Sequence, residues 1–312
     1  MSDRAVRIGT RGSKLARWQT DLAERLLREA HDGLVAEQIR ISTAGDRDRA
    51  ASLAQIGGTG LFVKDIEAAL LAGRIDLAVH SLKDLPTTQP EGLALAAVLA
   101  REDPHDVLVT RDGVSLDELP GGATIGTSSP RRKAQLLRAR PDLAVSPLRG
   151  NVPTRVAAVA EGAIDGAVLA QAGLARLGLA DEATTWPIPF DVMLPAPGQG
   201  AIAVEIREGD ERLSELLAPL NHAETQTCVR AERDVMRILG GGCHTPMGAL
   251  ATLRAGRLCL NATVAAPDGS RVVRHTAHGT QSEPDALAAE VALALLNAGA
   301  ADLLPSGEAA DE

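Results

Sequence analysis

The chain has 312 residues, enough for two or three domains of about 100–200 residues that each bury a core. Its 41 acidic side chains against 32 basic ones leave a net charge of −9, which argues against a general nucleic-acid binder. No apolar run approaches the ~18 residues of a membrane span, and the charged stretch Met1–Arg7 lacks a signal-peptide core. Three cysteines are too few for a disulfide scaffold, so a soluble cytoplasmic protein is expected.

Arginine outnumbers lysine by 28 to 4. A guanidinium fork holds carboxylates and phosphates in bidentate fashion, although codon bias accounts for most surface arginines. Trp18, Trp186, Phe62 and Phe190 are the whole aromatic complement, so the core is aliphatic and base-stacking platforms are excluded.

Hydrophobic periodicity places strand Val6–Gly9, helix Leu15–Ala30, strand Val35–Ser42, helix Leu61–Leu71 and strand Ile75–Val79. Strands Leu93–Leu99, Val107–Thr110 and Ala123–Gly126 come next, then helix Arg131–Arg140 and strand Leu143–Ser146. Helix Thr154–Ala160 and strand Ile164–Ala170 complete this run, and strand Ala201–Ile206 and helix Glu211–Leu217 follow the Pro- and Gly-rich stretch 194–198. The last third reads as helix Glu224–Leu239, strands Ala249–Leu253, Leu258–Ala265 and Arg271–Thr276, and helix Pro284–Asn297. The alternation predicts α/β architecture with largely parallel sheets, closed by a small α+β domain. Residues 1–99 with 200–217 are expected as the first α/β domain, 105–193 as the second and 222–305 as the third, with hinges near 100–104 and 194–200 and a disordered tail at 306–312.

In open α/β sheets ligands gather where strands hand over to helices. Three such junctions share one chemistry: Gly9-Thr10-Arg11-Gly12-Ser13, Gly126-Thr127-Ser128-Ser129-Pro130-Arg131-Arg132 and Leu148-Arg149-Gly150-Asn151-Val152-Pro153-Thr154-Arg155. Ser129 is placed to cap a helix whose first residue is Pro130. Free N–H groups and the positive dipole end at helix N-termini favour anions, and here hydroxyls and five arginines are added. Capping and turning alone explain any one junction. Three in an acidic protein point to a polyanionic small molecule. No Walker lysine pattern or Gly-x-Gly-x-x-Gly loop supports a nucleotide.

A fourth junction, His80-Ser81-Leu82-Lys83-Asp84-Leu85-Pro86, sets an acid beside a cation. It reads either as a surface turn or as a group that moves protons and stabilises a developing cation. Cys228 and Cys259 read as packed residues, with Cys228 on one helical face beside Ala231, Val235 and Ile238. Cys243, in Gly240-Gly241-Gly242-Cys243-His244-Thr245-Pro246, is either an inert thiol in a turn or a nucleophile or covalent tether. Its spacing to His244 is not that of a zinc site, and no metal is expected.

Taken together, these segments resemble the porphobilinogen deaminase (hydroxymethylbilane synthase) family. The resemblance spans essentially the whole chain in order. Besides the junctions above it rests on Gly60-Leu61-Phe62-Val63-Lys64, Arg101-Glu102-Asp103-Pro104, Pro197-Gly198-Gln199-Gly200 and Gly241-Gly242-Cys243. It implies two lobes of the type II periplasmic-binding-protein kind plus a cofactor-bearing α+β domain. It implies condensation of four porphobilinogen molecules into hydroxymethylbilane with loss of ammonia, on a dipyrromethane cofactor joined by a thioether to Cys243. The same resemblance implies Asp84 as the catalytic acid. Arg11, Ser13, Thr127, Ser128, Ser129, Arg131, Arg132, Arg149 and Arg155 would hold acetate and propionate groups, with Ser81 and Lys83 on the cofactor side. Phe62 would pack on a pyrrole ring and Gln199 would line the site. The family expectation is a monomer whose partner is the small-molecule substrate, with neither nucleic acid nor membrane.

The chain departs from the family at Gln55 and Thr59, where lysines are expected, and at Pro130, Pro153 and Gly240. Two competing readings are a non-catalytic two-lobed binding protein for an anionic small molecule and the effector domain of a transcription regulator. Neither accounts for the Cys243 loop.

Overall fold

The computed structural model describes residues 5–42, 63–180, 184–242 and 244–304. The expectations for Phe62, Cys243, Gln55, Thr59 and the 306–312 tail lie outside these residues. The chain forms two compact units, residues 1–101 with 201–226 and residues 102–200 with 227–312.

In the first unit, β1 (Val6–Thr10), β2 (Ala36–Arg40), β3 (Leu77–Ser81), β4 (Leu93–Val98) and β10 (Ile202–Arg207) form one sheet in the order β2-β1-β3-β10-β4. β1 pairs in parallel with β2 and β3, whereas β10 runs antiparallel to β3 and β4. The sheet is therefore mixed where largely parallel pairing was expected, because a strand from a remote part of the chain enters between β3 and β4. Both faces are covered, as sequences without strict alternation require. Ala23 and Leu27 of α1 (Lys14–Ala30), with Leu213 and Leu217 of α6 (Glu211–Leu217), pack on Ile8, Leu77 and Val204. Ile66, Ala69 and Leu70 of α2 (Lys64–Leu71) pack with Ile75, Ala78 and Leu93 in a separate cluster. Each fully buried Leu or Ile contributes about 1.5–3 kcal/mol.

This aliphatic interior holds charged groups too. Glu205 on β10 accepts a hydrogen bond from Gln89 Nε2 (2.7 Å) and lies 3.2 Å from His80 Nε2. Glu67 of α2 is also buried. Burial pushes its carboxyl above the ordinary value, Glu205 adds to that, and His80 and Lys64 oppose it. A carboxyl raised in the fold binds more proton folded than unfolded, so its contribution to stability falls as pH rises above the usual carboxylate range. Glu67→Gln is accordingly expected to raise the melting temperature at pH 7 and leave it nearly unchanged at pH 4, as read from melts across that range.

In the second unit, β5 (Asp106–Thr110), β6 (Thr124–Gly126), β7 (Ala144–Ser146), β8 (Gly166–Ala170) and β9 (Thr185–Pro187) form a sheet in the order β7-β6-β8-β5-β9. β6 is parallel to β7 and β8, and β5 is antiparallel to β8 and β9. Helices α3 (Pro130–Ala139), α4 (Val152–Ala160) and α5 (Gln171–Arg176) belong to this unit. The short α5 and β9 escape sequence reading, since α5 follows β8 without a capping side chain and β9 spans three residues.

The same unit carries α7 (Ala223–Ile238) from Thr227 onward, the antiparallel meander β11 (Met247–Arg254), β12 (Arg257–Ala265) and β13 (Val272–Thr280), and α8 (Pro284–Asn297). Alternate residues Leu258, Leu260, Ala262 and Val264 join Cys228, Ala231 and Val235 of α7 and Leu287, Val291 and Leu295 of α8 in one core. Cys259, half-buried, falls between Leu258 and Leu260 and so points to the other face of β12. β11 lies directly on the 194–195 segment: Ala249 N–H donates to the Pro195 carbonyl at 2.9 Å. A Cβ on Gly248 would stand 2.7 Å from the Leu194 carbonyl oxygen. Because that neighbour is backbone, Gly248→Ala is expected to cost about 1–3 kcal/mol, measurable as a lower denaturant midpoint with unchanged slope.

Candidate functional site

Asp84 stands at the end of a 3₁₀ turn, Leu82–Asp84, that follows β3 directly. The turn is fastened from below: Leu82 and Leu85 are fully buried, and Leu82 N–H donates to the Ala201 carbonyl at 3.0 Å. Asp84 is exposed and Lys83 half-buried, so the anchoring leucines present both charged groups at the surface. Ser81 is tied to α1 by Gln19 Nε2, which donates to its hydroxyl at 2.8 Å.

β1 and β3 are adjacent parallel strands, with Ile8 opposite Leu77 and Gly9 opposite Ala78. Their carboxyl ends therefore emerge at one edge, which gathers Arg11, Ser13, Ser81, Lys83 and Asp84. Ser13 caps α1 by accepting from Ala16 N–H at 3.2 Å, which leaves its own proton as a donor.

The second unit repeats the arrangement on parallel neighbours β6 and β7, Gly126 standing opposite Ser146. Thr127, Ser128 and Ser129 follow β6, and Arg149 and Arg155 follow β7. Ser129 caps α3 through Arg132 N–H, and Pro130 occupies the first turn. Asn151 caps α4, accepting from Thr154 N–H (3.0 Å), and Pro153 sits in that first turn without disturbing it. Arg149 is exposed, and Arg155 Nε donates to the Gly150 carbonyl at 2.9 Å. The Ser128 hydroxyl donates to the Leu148 carbonyl at 2.9 Å.

Arg131 and Arg132 lie inward rather than in solvent. Arg131 Nη1 donates to Asp106 Oδ2 (2.6 Å) and to the Leu194 carbonyl (2.7 Å). Arg132 reaches Asp106 Oδ1 through Nε (2.9 Å) and Nη2 (2.7 Å), and the Val168 carbonyl through Nη1 (3.0 Å). Among the described residues neither guanidinium has a second ion-pair partner, so two cations share one carboxylate at the N-terminus of a helix. Burial pushes the Arg131 guanidinium below the ordinary arginine value, Asp106 opposes this and Arg132 adds to it. A surplus positive charge in this setting is stabilised by an incoming anion.

Gln199 is wholly buried, and its Nε2 donates to the Pro104 carbonyl (2.8 Å) and Asp106 Oδ1 (3.0 Å). Asp106 itself escaped sequence reading, which started its strand one residue later. An acid at the head of an otherwise apolar strand was the available signal. Phe62 and Cys243 lie outside the described residues, but Cys243's neighbours are fixed: Gly242 N–H donates to Thr245 Oγ1 at 2.9 Å and Thr245 N–H to the Gly242 carbonyl at 3.0 Å.

Comparison with known proteins adds independent findings. A family model described as "Porphobilinogen deaminase, dipyromethane cofactor binding domain" matches residues 6–215, and one described as "Porphobilinogen deaminase, C-terminal domain" matches residues 226–297. The porphobilinogen deaminase of Moorella thermoacetica is 49% identical over 96% of this chain and 95% of its own length. That of Pelotomaculum thermopropionicum is 50% identical over 96% of each. Among solved structures, the periplasmic VFT2 domain of Bordetella pertussis BvgS covers 69% of this chain and 86% of its own at 17% identity, with a TM-score of 0.43. The chain belongs to the porphobilinogen deaminase family.

Proposed function

We propose that the chain condenses four porphobilinogen molecules head to tail, releasing ammonia and the linear tetrapyrrole hydroxymethylbilane. The observation that carries this reading is the match to porphobilinogen deaminases across 96% of the chain. The residues present suit a dipyrromethane cofactor: every pyrrole brings an acetate and a propionate, and the Arg131–Arg132 pair holds one positive charge more than Asp106 balances. When bound, the dipyrromethane would supply the free pyrrole carbon to which the first ring is joined, and each later ring would join the free end of the growing chain.

Cys243 is the proposed thioether tether. Arg11, Ser13, Thr127, Ser128, Ser129, Arg131, Arg132, Arg149 and Arg155 are proposed to hold the acetate and propionate groups of cofactor and substrate, with Ser81 and Lys83 on the cofactor side, Gln199 lining the site and Phe62 packing on a pyrrole. Charge-assisted contacts to planar guanidiniums suit both tasks. Asp84 is the proposed catalytic group. Its carboxylate accepts the pyrrole N–H and offsets the positive charge that builds on that ring as the amine departs. It then takes up the proton released once the carbon–carbon bond has formed.

Two α/β domains and a third, cofactor-bearing domain at 222–305 belong to the same reading, as does a monomer acting in the cytoplasm without nucleic acid or membrane. The charge of −9 supports it, and no described helix is long and apolar enough to cross a bilayer.

Intact mass of the denatured protein tests the proposal. A mass heavier by one dipyrromethane, absent from Cys243→Ala, is the expected result. A chain that stays unmodified after incubation with porphobilinogen or hydroxymethylbilane is a non-catalytic binder instead.

A further inference from the structure

We propose that Asp106 is the positioning residue of the anion site at the α3 N-terminus, setting the orientation of both Arg131 and Arg132 for the carboxylates of a pyrrole ligand. This rests on the reading that those two arginines hold such carboxylates.

The carboxylate is fully buried at the head of β5 and, among the described residues, accepts from the side chains of Arg131, Arg132 and Gln199. Oδ2 takes Arg131 Nη1, and Oδ1 takes Arg132 Nε and Nη2 together with Gln199 Nε2. Each guanidinium has a second fixed point on a backbone carbonyl, Leu194 for Arg131 and Val168 for Arg132. Two anchors define the plane of a rigid fork, so neither arginine keeps the rotamer freedom of a surface side chain. Gln199 also donates to the Pro104 carbonyl and so braces the carboxylate itself.

Adjacent guanidiniums repel, and without a shared anion the pair has every reason to separate. An amide cannot replace the carboxylate. An ionised carboxylate only accepts, whereas Asn turns an NH2 toward guanidinium donors. A ligand that arrives at a pre-oriented pair loses less entropy than one that must order it. Asp106 touches no ligand in this account and works entirely through the two arginines.

Loading of apo-protein with porphobilinogen, followed by intact mass after denaturation, tests this with a readout other than turnover. Thermal melts of each variant report folding. Asp106→Asn is expected to load at least tenfold more slowly than wild type. Added to the double variant Arg131→Gln/Arg132→Gln, it is expected to slow loading no further. A brace that served stability alone makes the two defects add.

If folded Asp106→Asn loads at the wild-type rate while the arginine double variant is slow, the inference fails and the arginine reading stands. If the double variant itself loads normally, the arginine reading fails and takes the inference with it. Should Asp106→Asn not fold, the triple variant decides, because it removes all three charges together. A triple variant slower than the double overturns the proposal, and equality supports it.

Discussion

Asp84→Asn is expected to lower kcat by about 10²–10⁴-fold, equivalent to about 3–5 kcal/mol of barrier, while the protein melts within about 2 °C of wild type. Asn matches the shape of Asp but carries no charge, so the substitution isolates electrostatics. Stability is spared because Leu82 and Leu85 bury fully and backbone hydrogen bonds fasten the 3₁₀ turn, Leu85 N–H donating to the Leu82 carbonyl and Leu82 N–H to that of Ala201. Exposed positions away from such anchors normally change stability by less than about 0.5 kcal/mol. Arg11 and Ser13 sit on the neighbouring strand's loop and keep their places, so substrate still binds and KM is expected to move far less than kcat. Steady-state rates with porphobilinogen, alongside a thermal melt, make the comparison. Near-normal turnover removes Asp84 from the mechanism. A large fall in melting temperature assigns it a structural task instead.

Much of this arrangement was legible in the sequence because local chemistry is sufficient to specify it. Ser129 was readable as a cap from its place before a periodic run, and Pro130 from its fitness for the first helical turn. Helices 211–217 and 284–297 fall where periodicity put them. Strand direction was not legible. β10 runs antiparallel between β3 and β4, and no local pattern reveals which neighbours a strand from a distant segment will find. The same limit hid the polar interior. Asp106 meets Arg131 and Arg132 across 25 and 26 residues of chain, so the carboxylate that the two arginines share was not legible in the sequence. Gln199 reaches Asp106 from 93 residues away, and without that partner its wholly buried position could not be foreseen. The Ser128 contact was hidden at shorter range: its hydroxyl donates to a backbone carbonyl on the next strand's loop, a contact set by the pairing of β6 with β7.

Glu232→Leu is expected to destabilise the second unit by about 3–5 kcal/mol, a loss of about 10 °C in melting temperature for a unit of this size. Glu232 lies on α7 and is fully buried. Oε2 accepts from Gly198 N–H at 2.7 Å and Oε1 from Ala251 N–H at 2.8 Å, so one side chain joins the Pro197–Gly200 turn to β11. Removing it leaves two buried donors without acceptors, each costing about 1–3 kcal/mol, and no neighbouring apolar volume compensates for lost hydrogen bonds. Helix propensity cannot produce this result, because Leu is at least as good a helix former as Glu. Glu232→Gln separates the possibilities further. Its amide oxygen satisfies one N–H while its NH2 opposes the other, so its loss is expected to be smaller than that of Leu and larger than that of a neutral surface change. Chemical denaturation of the three proteins should therefore rank wild type above Gln above Leu with a common slope. If Leu and Gln instead match wild type, water or a shifted backbone supplies the two acceptors, and Glu232 is not what fastens the 197–200 turn to the C-terminal sheet.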